Sequence, residues 1–357
     1  MKRNITISLL LGIIVSAVAL YLAFRNVPIS ELIRYLVSIN YFLAIPSIAV
    51  ALLSFVLRVF RWQLILASSQ RVSFWRAFHP LMIGFMVNCI LPGRLGEVAR
   101  PVILRKLEDF PVSTGLATVA AERVFDISLL IALFTVVLAT VKINPELNIA
   151  FGGYQLNRHT LELISSGMLK LCVVLIAAIF LFTIERTKAV MDALIIKIPS
   201  LFFFATPSTK AKVHKTISEP VIRIVDNFAR GLSLVKHPKK IVACIGLSLL
   251  VWYLVALSIY IMALGCPGID LSFLEITAVM IIICFFIALP SVPGFWGIWE
   301  AGGVFALSLF GVATKDAAGF TLANHAIQVI PVILIGFVSA VITGINVWRV
   351  AFEERLT

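Results

Sequence analysis

Charge is scarce in this chain. Of 357 residues only 13% are Asp, Glu, Lys or Arg, where a soluble domain carries about 25%. Too few ionic groups are present to cover a water-facing surface, so a soluble globular fold is excluded. Cysteine is also sparse, and Cys89, Cys172, Cys244, Cys266 and Cys284 show no paired spacing. They read as small apolar residues rather than a disulfide framework or a metal site. No phosphate-binding GxxxxGK[ST] loop, HExxH or GxSxG occurs, which removes ATP hydrolysis and two hydrolase classes. No cofactor and no metal site are expected.

Hydrophobic residues make up 61%, and mean hydropathy is +1.04. The expected fold is all-α, integral to the membrane and polytopic. Apolar segments of full spanning length, about 20 residues, lie at 5–24, 41–57, 124–141, 163–184, 241–264 and 317–347; the last is long enough to be tilted, or broken near Pro331. Lys2 and Arg3 precede the first, but no small-x-small cleavage site follows before Arg25, so it reads as a retained helix.

The net charge of +12 marks loops that stay in the cytoplasm better than it marks nucleic-acid binding. Residues 58–76 carry four Arg and no acid, and 185–240 carry eleven Lys or Arg against four acids. The positive-inside rule puts both loops, and both termini, in the cytoplasm of a cell (inner) membrane. Arg58 and Arg61-Trp62 then read as a basic-aromatic anchor at the end of the second span. Val221–Leu234 is amphipathic and is expected on the anionic inner leaflet.

Two stretches interrupt this pattern. Residues 88–101 read NCILPGRLGEVARP and 289–300 read LPSVPGFWGIWE. Each ends an apolar run too short to cross, then places Pro-Gly, Gly and Glu: Pro92, Gly93, Gly96 and Glu97, then Pro293, Gly294, Gly297 and Glu300. About 25 residues beyond each Glu comes a polar cluster, Glu122-Arg123 with Asp126 in one half and Asn324-His325 with Gln328 in the other. The halves align as span, span, hairpin, span. A first membrane repeat over 1–150 and a second over 151–357 are expected, with re-entrant hairpins at 78–121 and 273–313 entering from opposite sides. Broken helices at matching places in inverted halves point to a transporter's substrate site. The plain alternative is that Pro-Gly breaks two helices without symmetry.

An ionisable group at membrane depth costs about 2.5–3.5 kcal/mol or more unless paired or hydrated. Arg94, Glu97, Arg100, Glu122, Arg123 and Asp126 therefore either form a buried ion cluster or bind a ligand headgroup. Arginine forks and helix N-termini after a break both favour an anion. Glu300, with no base near it in sequence, is the candidate for proton coupling. His325 reads equally as a satisfied core residue or a proton relay.

Taken together, LRVFRWQLIL (57–66), NCILPGRLGEVARP (88–101), AERVFD (121–126) and PSVPGFWGIWE (290–300) resemble the lysylphosphatidylglycerol synthase transmembrane, or flippase-like, family. The resemblance covers nearly the whole chain. It implies movement of an anionic or aminoacylated phospholipid, or a polyprenyl-linked lipid, between leaflets, with lipid-biosynthesis enzymes as partners. The family's soluble transferase is not expected in a chain closing at Thr357, so lipid synthesis is not expected either. A secondary transporter of a small anion, an intramembrane enzyme using Glu97 and Glu122, and a scaffold docking through 185–240 remain open.

Overall fold

The computed structural model describes residues 2–91, 93–140, 149–151, 154–156, 185–197, 214–232, 234, 237–289 and 292–352, with isolated positions between 166 and 177. Pro92 and most of the expected span 163–184 lie outside the described residues. The chain is helical: α1 (Lys2–Phe24), α2 (Ile29–Ser38), α3 (Ala44–Leu66), α4 (Phe74–Ile90), α5 (Leu95–Glu108), α6 (Val112–Thr140), α7 (Glu185–Ile196), α8 (Glu219–Gly231), α9 (Pro238–Ala263), α10 (Phe273–Phe286), α11 (Ile298–Ser308), α12 (Thr314–Thr343) and α13 (Val347–Phe352). A two-stranded antiparallel ribbon, β1 (Ile149–Phe151) with β2 (Tyr154–Leu156), lies between α6 and α7 in the chain.

Tyr41–Leu66, Pro238–Ala263 and Thr314–Thr343 are long and apolar enough to cross a membrane, and α1 with α2 makes a fourth if the pair, bent by 78°, counts as one span. The bend falls at Arg25–Pro28, where proline denies the following helix a continuous backbone ladder. α12 runs unbroken through Pro331. α6 begins at Val112 and passes through Glu122 and Asp126 without interruption. The expected boundary between 121 and 124 therefore falls inside one helix, and only the short helices α4 and α5 precede it within 74–108.

The pattern of two short helices flanking a glycine break, followed by one long helix, occurs twice: α4, α5, α6 and α10, α11, α12. Arg94 and Asp109 take left-handed backbone at either end of α5. The crossing of α4 over α5 is a glycine contact. A Cβ on Gly96 would sit 1.8 Å from the Gly84 carbonyl oxygen, and one on Gly84 would strike the Arg100 side chain. Asn88 Oδ1 accepts from the Gly96 N–H at 2.8 Å, satisfying a donor freed by the break. The start of α10 is held by Ser272 and Glu275, each side chain accepting from the other's backbone N–H.

The contacts define two opposite ends. At one, Asn40 N donates to the Gly265 carbonyl, Tyr35 Oη donates to the Pro267 carbonyl, and Gly268 lies against Asp316. At the other, Arg76 Nη1 donates to the Leu107 carbonyl, Gln70 to that of Glu108, and Lys240 Nζ to that of Ala67. α3 and α9 therefore run antiparallel, the first leaving the end that the second approaches. α5 ends, and α6 starts, at the Ala67–Arg76 end; α11 ends, and α12 starts, at the Gly265–Asp316 end. Leu232 and Leu234, just past α8, are buried with Ile65, Ala117, Ala121 and Cys244. This part of the basic loop packs on the helical body, where the sequence suggested a lipid surface.

Outward faces are apolar, with Leu249, Tyr253, Leu334, Phe337, Val341 and Ile342 exposed. In water this would be a liability, and in a bilayer it is the expected coat.

Candidate functional site

Three helices bring charge into the interior, and a fourth adds polar side chains. Arg58 and Arg61 stand three residues apart on α3. Glu122 and Asp126 stand four apart on α6, sharing one face. Arg100 comes from α5, while Ser248 and Trp252, again four apart, come from α9. Arg61 is fully buried, and its guanidinium clasps Asp126 at 2.6 and 3.1 Å. It also reaches Ser248 Oγ at 2.8 Å and Glu122 Oε1 at 3.4 Å. Arg100 is paired with Glu122 Oε2 at 2.8 Å and lies over the Trp62 ring, 4.2 Å from its centre. Trp62 Nε1 donates to Thr118 Oγ1, and Trp252 Nε1 to Asp126 Oδ1.

Two further arginines crowd the same carboxylate. Arg123 lies 3.1 Å and Arg58 3.8 Å from Asp126 Oδ2. Arg58 is ringed by Phe55, Phe85 and Trp252, with centroids 5.8, 5.6 and 5.2 Å away. Four arginines thus face two carboxylates. Each arginine keeps a buried Nε without a hydrogen-bond partner. An uncompensated ion in this setting costs several kcal/mol, and the described side chains leave the cluster with an excess of positive charge.

Arg58, Arg61 and Trp62 are therefore not interface anchors. They are buried, and Arg61 is the centre of the cluster. The available signal was pairwise: basic residues three apart on one helix and acids four apart on another present matching faces. Ser248 and Trp252 carry no such signal, because they enter only through the crossing of α9 over α3.

Of the six residues expected to share one site, Arg100, Glu122, Arg123 and Asp126 are brought together. Arg94 and Glu97 are not. They sit at the first break, half-exposed and 3.9 Å apart, and Arg94 Nη2 donates to the Ile287 carbonyl at 2.8 Å. There the two breaks meet: a Cβ on Gly294 would lie 3.1 Å from the Cys89 carbonyl oxygen.

The second break forms its own polar centre. Glu300 and His325 are fully buried, with Glu300 Oε1 2.5 Å from His325 Nδ1. Glu300 Oε2 accepts from the Gly297 N–H at 2.6 Å. His325 Nε2 faces the Gly294 carbonyl at 2.8 Å. A carbonyl only accepts, so Nε2 carries hydrogen, and Nδ1 and Oε1 share one further proton. The imidazole stacks on Trp299 at 4.5 Å and meets Trp296 at 4.3 Å. Gly297 has φ +89°, and a Cβ there would lie 2.3 Å from the Ser16 carbonyl oxygen of α1. Gln328 Nε2 donates to Ser258 Oγ. Asn324 is buried with neither amide atom bonded among the described residues.

Long apolar helices, a lipid-compatible exterior and a buried, partly compensated ion cluster define an α-helical integral membrane protein. The chain belongs to the family described as the lysylphosphatidylglycerol synthase TM region, whose model matches residues 9–336. It is similar to a UPF0104 membrane protein of Methanocaldococcus jannaschii, 22% identical over 361 residues covering 96% of each chain. No solved structure matches.

Proposed function

We propose that this protein carries an amphiphile with an anionic headgroup between membrane leaflets. The observation behind the proposal is the buried excess of arginine over carboxylate around Asp126. A headgroup crossing hydrocarbon unaided loses its hydration at a cost of several kcal/mol or more. Guanidinium donors fixed inside the bundle replace part of that hydration, while the tails stay in lipid. Family membership supports a lipid as the cargo.

In this reading residues 1–150 and 151–357 are inverted repeats, and α4–α5 and α10–α11 are re-entrant hairpins that dip from opposite sides. The antiparallel course of α3 and α9, and the opposite starting ends of α6 and α12, support it. Arg71, Arg76, Arg105, Lys106 and Lys239 are exposed at one end, beside Glu108 and Asp109; the other carries Glu31, Asp270 and Asp316 with Arg34 and Lys315. That asymmetry supports a cytoplasmic basic end, with both termini on that side. Glu300 and His325 would couple transport to a proton, the shared hydrogen leaving when α11 and α12 part.

The test is leaflet exchange in vesicles. Purified protein is reconstituted with fluorescent phosphatidylglycerol or a fluorescent prenyl phosphate, and probe accessible to an external quencher is followed. Protein should speed exchange of at least one of these lipids. Arg100→Gln should slow it about tenfold or more, since Glu122 then loses its partner and offsets an arginine that would meet the headgroup, and a charge-assisted contact is worth roughly 1.5–3 kcal/mol. Protein-containing vesicles no faster than empty ones, for every anionic lipid tried, would remove the carrier reading.

A further inference from the structure

The ion cluster is not uniformly short of negative charge. Arg61 and Asp126 form a two-pronged pair, and Arg100 closes on Glu122. Those four groups balance. The surplus is Arg58 and Arg123, which both lean on one oxygen, Asp126 Oδ2, already engaged by Arg61. They are also at the more accessible edge: the Arg123 side chain is 30% exposed and that of Arg58 9%, against 0% for Arg61 and 4% for Arg100. Each keeps a buried, unbonded Nε. The edge of the cluster therefore holds two positive charges, each with one unbonded Nε, around a single carboxylate oxygen.

Resting on the carrier reading, we propose that Arg58 and Arg123 form a site for a phosphomonoester, a headgroup with close to two negative charges, in preference to a phosphodiester with one. A phosphomonoester carries about −1.5 to −2 at pH 7 and three terminal oxygens. Its oxygens match the planar forks of two arginines, and its charge matches their sum. A phosphodiester has two unesterified oxygens and one charge, and would leave one arginine uncompensated. A lipid bearing an amino-acid ester adds positive charge and fits worse still. Phe55 and Phe85 beside Arg58 give the apolar part of such a ligand a wall to follow outward.

The experiment is equilibrium binding to purified full-length protein in detergent, read by tryptophan fluorescence, since Trp252 touches both Arg58 and Asp126. Three probes are compared: geranyl phosphate, a short-chain phosphatidylglycerol and inorganic phosphate. Geranyl phosphate should bind about tenfold or more tighter than the diester, the worth of one extra charge-assisted contact. Arg58→Gln and Arg123→Gln should each bring that ratio towards one while the diester still binds. Arg58→Lys and Arg123→Lys, which keep the charge, should retain most of it, and thermal unfolding checks that all four variants are folded. Inorganic phosphate binding as tightly as geranyl phosphate would make a soluble ester the occupant of the same dianion site; weaker binding makes it a lipid. Equal affinity for monoester and diester, or a ratio unmoved by either Gln variant, overturns the proposal. In that case exchange of phosphatidylglycerol in vesicles would leave the carrier reading standing, whereas absence of exchange for all lipids removes both.

Discussion

Glu300 and His325 lie 25 residues apart and share one proton in a fully buried place. The surroundings fix the roles of both side chains. The Gly297 N–H needs an acceptor and the Gly294 carbonyl needs a donor. Glutamine fits the same positions: its Oε1 accepts from Gly297 and its Nε2 donates to His325 Nδ1, leaving a neutral imidazole. Glu300→Gln should therefore cost little stability, under about 1 kcal/mol. Glu300→Leu leaves a backbone donor and a ring nitrogen unbonded, at about 1–3 kcal/mol each. Thermal unfolding in detergent compares the two variants, and equal losses would contradict the shared-proton arrangement. A carrier that depends on this proton should also slow in vesicles carrying Glu300→Gln.

At the scale of elements, the glycine breaks act through close backbone approach. α5 can lie on α4 only because Gly84 and Gly96 face each other without side chains. That contact aims Arg100 at Glu122 and Trp62. Gly96→Ala puts a methyl group 1.8 Å from a carbonyl oxygen, so the helices must part. Overpacking of this kind costs about 1–3 kcal/mol or more. The expected result is a lowered unfolding temperature together with weaker anion binding, because Arg100 moves with α5 and leaves Glu122 free to offset the arginines in surplus. A variant with wild-type unfolding and wild-type binding would show that the crossing is not needed. Pro-Gly, the signal legible in sequence, locates the break. The rigid feature is the pair of glycines flanking it, of which Gly84 carries no sequence mark inside an apolar run.

For the whole molecule, the central question is orientation. Asp109 lies in the exposed turn after α5, and Gly311 in the exposed turn after α11. The proposed inverted arrangement puts these turns on opposite faces, the first cytoplasmic and the second outside. Single cysteines at Asp109→Cys and Gly311→Cys, in a background without other cysteines, should react with a membrane-impermeant maleimide from opposite sides. Gly311 has φ +78° and open space around a Cβ, so any strain is confined to that turn. Labelling of both from the same side would contradict the inverted arrangement.

Much of this protein follows from sequence alone. The shortage of charge dictates a lipid solvent and, since every buried backbone group must then be bonded within its own segment, helices. The breaks at Gly93 and Gly294 and the shared face of Glu122 and Asp126 are also legible, being set by local backbone chemistry and helical spacing. Which arginines meet those acids was decided only by the tertiary structure. Arg58 and Arg61 stand near the end of a span, where an inward face and an interface anchor look the same. In water, apolar periodicity tells which side of a helix turns inward. In lipid, the outer face of α3 or α12 is as apolar as the inner one, so that phase is erased. Only the crossings of α3, α5, α6 and α9 turned Arg61 towards Asp126 and left Arg58 and Arg123 in excess.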